Sequence, residues 1–93
     1  IDLRCLVPLD AQTVLSSVAR TSHLVLVEEN PYQGGWGATV ASIVADEGFE
    51  SLDAPIRRVA AECVPLPFAD VLEDVVIPTV DKVVDAVRRL TAF

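Results

Sequence analysis

Apolar positions fall into blocks of different spacing along the chain, and the spacing in each block predicts an element. Ile1 to Leu6 alternates in part between apolar and polar residues and ends at Val7-Pro8, the pattern of a short strand stopped by proline. Asp10 then offers a carboxylate to the free amides of a first helical turn. Val14, Leu15, Val18 and Ala19 follow at helical spacing, which predicts a helix to about Arg20. His23 to Val27 reads differently, because Leu24, Val25, Leu26 and Val27 run without a polar break until Glu28-Glu29-Asn30-Pro31. Such a run suits a central parallel strand buried on both faces. Gln33-Gly34-Gly35-Trp36-Gly37 opens a second helix with Val40, Ile43 and Val44 on its apolar stripe. Gly48 stands where a helix ends, and Phe49 to Leu52 adds a turn. Pro55 to Ala61 supplies Ile56 and Val59 for another strand, whose Arg57-Arg58 pair implies that its ends or one face meet solvent or an acidic partner. Phe68 to Asp74, bracketed by Pro65, Pro67 and Pro78, suits a short helix that wraps over the domain. Thr79 can cap a last helix, in which Val80, Val83, Val84, Val87 and Leu90 recur at helical intervals. Asp81 comes early and Arg88-Arg89 late, as its dipole favours.

Strands alternating with amphipathic helices give an α/β class: a three-layer, open, mostly parallel sheet with right-handed crossovers. The 93 residues make one domain, 1–93. Three visible strands are few for a chain that is 52% hydrophobic, so further chain or another subunit is expected to cover part of the sheet. Ile1 stands where an initiator Met would, and we expect the chain to be a fragment of a longer reading frame. Fourteen acidic residues against seven basic ones give a net charge of -7, which disfavours nucleic acid as a partner. No apolar run approaches the roughly 20 residues of a membrane-spanning helix, so no membrane partner is expected.

The candidate chemistry is sparse. Cys5 and Cys63 lie far apart with no CxxC, and the chain has a single His, so neither a zinc site nor a redox dithiol has its spacing. Two reduced, buried thiols in a cytoplasmic protein is the simpler reading, with a bridge left open to geometry. Gly34-Gly35-Trp36-Gly37 at a strand-to-helix turn resembles a phosphate cradle, yet it lacks the remaining glycine of GxGxxG and the Lys-Ser/Thr of a Walker loop. Tight helix packing is the simpler reading of these glycines. Glu28 and Glu29 end the central strand where open α/β sheets place active-site groups, and paired carboxylates can divide acid and base work. Strand neighbours point opposite ways, however, so capping, subunit contact or solvation compete with a dyad. His23 has no Ser or Cys at a recognised triad spacing. Tyr32 and Trp36 flank the glycines and can close a pocket or anchor an interface.

Several segments together resemble one family, the C-terminal domain of transketolase-like enzymes, and most closely the beta subunit of thiamine-diphosphate-dependent 2-oxo acid dehydrogenases. The resemblance runs through Ile1-Asp2-Leu3-Arg4 with Pro8-Leu9-Asp10, Val27-Glu28-Glu29, Gly34-Gly35-x-Gly37-Ala38 and Leu52-Asp53-Ala54-Pro55-Ile56-x-Arg58-Val59. It continues through Val64-Pro65-x-Pro67-Phe68 and Leu72-Glu73 to Ile77-Pro78. Glu28-Glu29 and Val64-Pro65 look like the pyruvate branch, and Pro67 to Pro78 also looks like acetoin dehydrogenases. The resemblance implies that the sheet lacks a first strand and helix that relatives carry before the position of Ile1. It implies that the full enzyme uses thiamine diphosphate and magnesium to decarboxylate a 2-oxo acid and acylate a lipoyl arm, as part of a multienzyme complex. It further implies that this domain binds neither cofactor, supplies no catalytic residue and is inactive alone. Its implied partners are a second beta subunit, the alpha subunit and the subunit-binding domain of a dihydrolipoyl acyltransferase. In that docking mode Asp53 and the terminal carboxylate of Phe93 meet basic residues, whereas the simpler reading of Asp53 is a residue that caps or solvates a turn. Glu28, Glu29, Gly34, Gly35 and Trp36 are the candidates for an interface. Alternatives are another transketolase-like enzyme or a free-standing acidic binding module.

Overall fold

A computed structural model describes residues 1–62 and 75–93. Helix α1 covers Ala11–Thr21 and starts as the sequence predicts: Asp10 accepts from the Thr13 amide at 3.1 Å and from the Thr13 hydroxyl at 2.6 Å. Strand β1 (Val25–Pro31) follows, then helix α2 (Trp36–Glu47), closed where the Gly48 amide donates to the Val44 carbonyl. A 3-10 turn at Phe49–Ser51 leads to strand β2 (Arg57–Ala61). Helix α3 (Val80–Thr91) closes the chain, and its cap Thr79 accepts from the Lys82 amide at 3.3 Å.

Strands β1 and β2 are parallel, with Val25 opposite Arg57, Leu26 opposite Arg58 and Val27 opposite Val59, and the register shifts before Pro31 meets Ala61. Because side chains alternate across a sheet, Leu26, Glu28 and Arg58 share one face. On that face α2 lies against β1 and α1 against α2, and Leu26 joins Val14, Val18, Val40 and Val44 in the core. Val59 and Ala61 point the other way, where α3 packs on both strands and Leu90 is buried. These are the three layers of the predicted α/β class.

Two expectations change. Ile1 to Leu6 is not a strand: Arg4 takes a left-handed backbone at φ 57°, and the segment's one bridge joins Leu6 to Leu9. Alternation specifies a strand only when a ladder partner accepts it, and no described strand pairs with this segment. The sheet therefore has two strands among the described residues, and β1 has a free edge instead of lying centrally. Val27 is accordingly 45% exposed, where burial on both faces was expected. The short helix expected at 68–74, Cys63 and any bridge to it lie outside the described residues, and Cys5 is a free thiol that is exposed where burial was expected, because its segment forms no strand against the core. No described helix is long and apolar enough to cross a membrane.

Candidate functional site

Glu28 is the one buried charged residue among those described, at 2% exposure. It lies near the carboxyl end of β1, directly under the start of α2. Three donors converge on it. The Gly37 amide, in the first turn of α2, donates to Oε2 at 2.7 Å, and the Asn30 amide donates to the same oxygen at 2.9 Å. Arg58 donates to Oε1 through Nε at 2.8 Å and through Nη2. The guanidinium is itself enclosed: Nη2 also donates to the Tyr32 carbonyl at 2.7 Å, and the Tyr32 ring stacks on it with 4.1 Å between the guanidinium carbon and the ring centroid. Burial pushes the Glu28 carboxyl up. The Gly37, Asn30 and Arg58 hydrogen bonds and the Arg58 charge outweigh it and hold the group below the usual carboxylate range.

Local sequence explains each placement. Glu28 faces inward because Leu26 does, two positions earlier, and Arg58 joins it because the parallel register sets Arg58 opposite Leu26. Gly37 is glycine for lack of room: a Cβ there would stand 2.7 Å from the Glu28 Cδ and 2.9 Å from the Arg58 Nε. Gly34 holds a positive φ of 72° in the turn before the helix, a conformation that favours glycine.

The phosphate-like glycine turn is thus an anion site already filled from within. Free amides and the dipole at a helix N-terminus attract negative charge, and the Glu28 carboxylate supplies it. The carboxylate dyad is absent, since Glu29 is exposed on the opposite face and the two acids share no partner. Of the interface candidates, Glu28 and Gly35 come together, with Gly35 as the cap of α2, while Gly34 and Glu29 are exposed. The Glu28 carboxylate is turned inward, so it can act on an interface only through the groups it positions. Trp36 is half-buried against the core and lines an open cavity of about 400 Å³ beside Ile1, Leu3, His23 and Val27. His23 Nδ1 lies 2.9 Å from the Thr21 carbonyl, which can only accept, so that nitrogen carries the proton. Its Nε2 is buried without a partner in the described residues.

Asp53 and Phe93 stand apart from this cluster. Asp53 is exposed between the 3-10 turn and β2, its amide donating to the Ser22 carbonyl at 3.0 Å, and Phe93 is 66% exposed past the end of α3. Sequence reading missed Asn30 and Arg58 as partners of Glu28. The available signal was Arg58 itself, a cation inside a predicted strand that needed an acidic partner. No group of three or more His, Cys, Asp or Glu among the described residues is placed to hold a metal ion.

Residues 1–83 match the protein family described as "Transketolase, C-terminal domain". The chain is 48% identical over 93 residues to "Pyruvate dehydrogenase E1 component subunit beta" of Rickettsia felis, covering 100% of this chain and 28% of that protein. It is 45% identical over 89 residues to the mitochondrial subunit beta-2 of the same component in Oryza sativa subsp. japonica, covering 96% and 24%. It is 40% identical over 90 residues to "Acetoin:2,6-dichlorophenolindophenol oxidoreductase subunit beta" of Bacillus subtilis, covering 97% and 26%. The chain therefore spans about a quarter of the length of these relatives. With a parallel sheet between helical layers and a family match over most of its residues, this chain belongs to the transketolase C-terminal domain family.

Proposed function

We propose that this chain is the C-terminal assembly domain of a thiamine-diphosphate-dependent 2-oxo acid dehydrogenase beta subunit. In the full enzyme, thiamine diphosphate would drive decarboxylation of the 2-oxo acid and transfer of the acyl group to a lipoyl arm. The observation that carries the reading is the state of Glu28. An acid placed at the carboxyl end of a parallel strand, where such sheets bind ligands, has every donor around it engaged within the fold. It has no free lone pair aimed at a substrate and serves to fix α2 and β2 to one another. The described residues do not fit thiamine diphosphate: the α2 N-terminus that could receive its phosphates holds the Glu28 carboxylate, and no acidic cluster could hold magnesium. The cofactor chemistry belongs to other parts of the enzyme in this reading. Pyruvate dehydrogenase relatives favour pyruvate as substrate, and the Bacillus subtilis relative keeps acetoin as the second candidate.

The proposed partners are the alpha subunit, a second beta subunit and the subunit-binding domain of the acyltransferase. Asp53 and the Phe93 carboxylate would meet basic groups of that domain, helped by a net charge of -7 that steers cations toward the chain. Isothermal titration of the isolated chain with thiamine diphosphate and magnesium should give no saturable heat, and saturable binding would overturn the assembly reading. Asp53→Ala should weaken binding of the acyltransferase domain and flatten its salt dependence; unchanged affinity at low salt removes Asp53 from the interface.

A further inference from the structure

Lys82, the chain's single lysine, stands in the first turn of α3. A cation there opposes the helix dipole, which favours Asp81 at that end and Arg88 and Arg89 at the other. Its ammonium is nonetheless engaged. Nζ donates to the Val75 carbonyl at 3.0 Å and to the Ile77 carbonyl at 3.2 Å. The carbonyl between them, on Val76, accepts from the Glu62 amide at 3.0 Å, one residue past the end of β2.

Those three carbonyls depend on donors from elsewhere in the chain. Val75 and Val76 have helical backbone, but the chain bends at Ile77, Pro78 has no N–H to give, and Thr79 is extended as the cap of α3. The ladder of helical amides stops there. Lys82 also has acids at hand: Glu62 and Asp85 border one groove of about 340 Å³ with it, yet no ion pair joins Lys82 to either. Its ammonium serves the turn. Little else holds these residues, since Val75 is 63% exposed and only Val76 of the three is buried. The turn is thus pinned to the end of β2 by one backbone bond and to α3 by one charge.

We propose that Lys82 is a charge-operated latch: its ammonium closes the Val75–Ile77 turn onto α3, and loss of that contact lets the turn open by itself while the sheet and the other helices stay folded. A unit with so few buried apolar contacts is the kind that opens separately from a core. The latch does not depend on the assembly reading. Amide hydrogen exchange on the 93-residue chain, read residue by residue by NMR, tests it. The Glu62 amide reports the turn, since its acceptor is Val76, and the Arg57 amide, which donates to the Leu24 carbonyl at 3.1 Å, reports the sheet. Lys82→Met keeps the stem and removes the charge. Exchange at Glu62 should rise about tenfold, the scale of one charge-assisted hydrogen bond, with Arg57 unchanged. Lys82→Arg keeps a cation and its donors and should retain most of the protection.

A merely solvated Lys82 predicts the opposite sign, because removing a cation from the first turn favours α3. Unchanged or slower exchange at Glu62 in Lys82→Met therefore overturns the latch. An equal rise at Arg57 also overturns it, since the turn would then open only with the whole domain. A Lys82→Arg chain as open as Lys82→Met overturns it as well, because the charge would not be what holds the turn.

Discussion

Replacing Glu28 by Gln keeps shape and volume and removes only the charge, which isolates the clasp between β1, α2 and β2. The present carboxylate meets donors on both oxygens: Gly37 and Asn30 on Oε2, Arg58 on Oε1. A glutamine has one accepting oxygen and one donating nitrogen. If the oxygen faces Arg58, its NH2 confronts the Gly37 and Asn30 donors; if the amide is flipped, the NH2 confronts the guanidinium. Either way buried donors lose their acceptor, at about 1–3 kcal/mol each. Removing one partner of a buried pair costs about 3–5 kcal/mol on the same physical grounds. Arg58 keeps the Tyr32 carbonyl at 2.7 Å and its side chain retains 9% exposure, so the lower end applies, about 3 kcal/mol. A domain of this size is stable by about 5–14 kcal/mol, so the loss is large. Urea unfolding followed by the fluorescence of Trp36, the single tryptophan, reports it, with the change read as a lower midpoint at constant slope. A loss below about 1 kcal/mol would refute the argument. The companion variant Glu28→Leu with Arg58→Met removes both charges and should recover most of the loss, because a well-packed apolar pair can replace a buried ion pair at little cost.

The depressed Glu28 carboxyl also sets a pH dependence: its contribution is complete above the ordinary carboxylate range and fades as pH falls through its lowered folded value. Urea midpoints taken between pH 7 and pH 3 should therefore fall more steeply for the parent chain than for Glu28→Gln, and parallel curves would contradict the assignment. Gly37→Ala should destabilise by at least as much as a typical overpacking change, about 1–3 kcal/mol, because its Cβ would stand 2.7 Å from the Glu28 Cδ. Gly48→Ala, where the nearest atom is the flexible Leu15 Cδ2 at 3.1 Å, should cost less, and the reverse ranking in thermal melts would show that Glu28 can yield. Leu90→Ala removes the one fully covered α3 side chain, 2% exposed, and should cost about 2–4 kcal/mol by urea unfolding, whereas Val80→Ala, 79% exposed, should change stability by under about 0.5 kcal/mol.

What the sequence disclosed was local. Asp10 with Val14 and Val18, and Thr79 with Leu90, carry both cap and periodicity within a dozen residues, and α1 and α3 form within a residue of where those signals place them. Gly48 likewise marks the end of α2. What the sequence left hidden was pairing. Ile1 to Leu6 has the composition of a strand, but a ladder partner decides whether such a segment extends, and composition carries no record of it. The α3 valines show the same limit: their spacing announces an apolar face, while only packing reveals that Val83 and Leu90 turn inward and Val80, Val84 and Val87 do not.

Glu28 shows how position and role can separate. Its place at the end of a parallel strand, above glycines that open a helix, is where an exogenous anion would bind in many α/β proteins. Here a register set 30 residues away brings Arg58 alongside, and the absence of a Cβ at Gly37 lets the carboxylate reach the helix amides. The result ties β1, α2 and β2 through one side chain, so a shift of any of the three costs a charge-assisted hydrogen bond. A surface carried on those elements inherits that rigidity. In the assembly role proposed above, a partner would meet side chains already ordered, and less freedom would be lost on docking. Asp53 sits just ahead of β2 and α3 packs on that strand from the far face, so the strand that Arg58 anchors holds both in place.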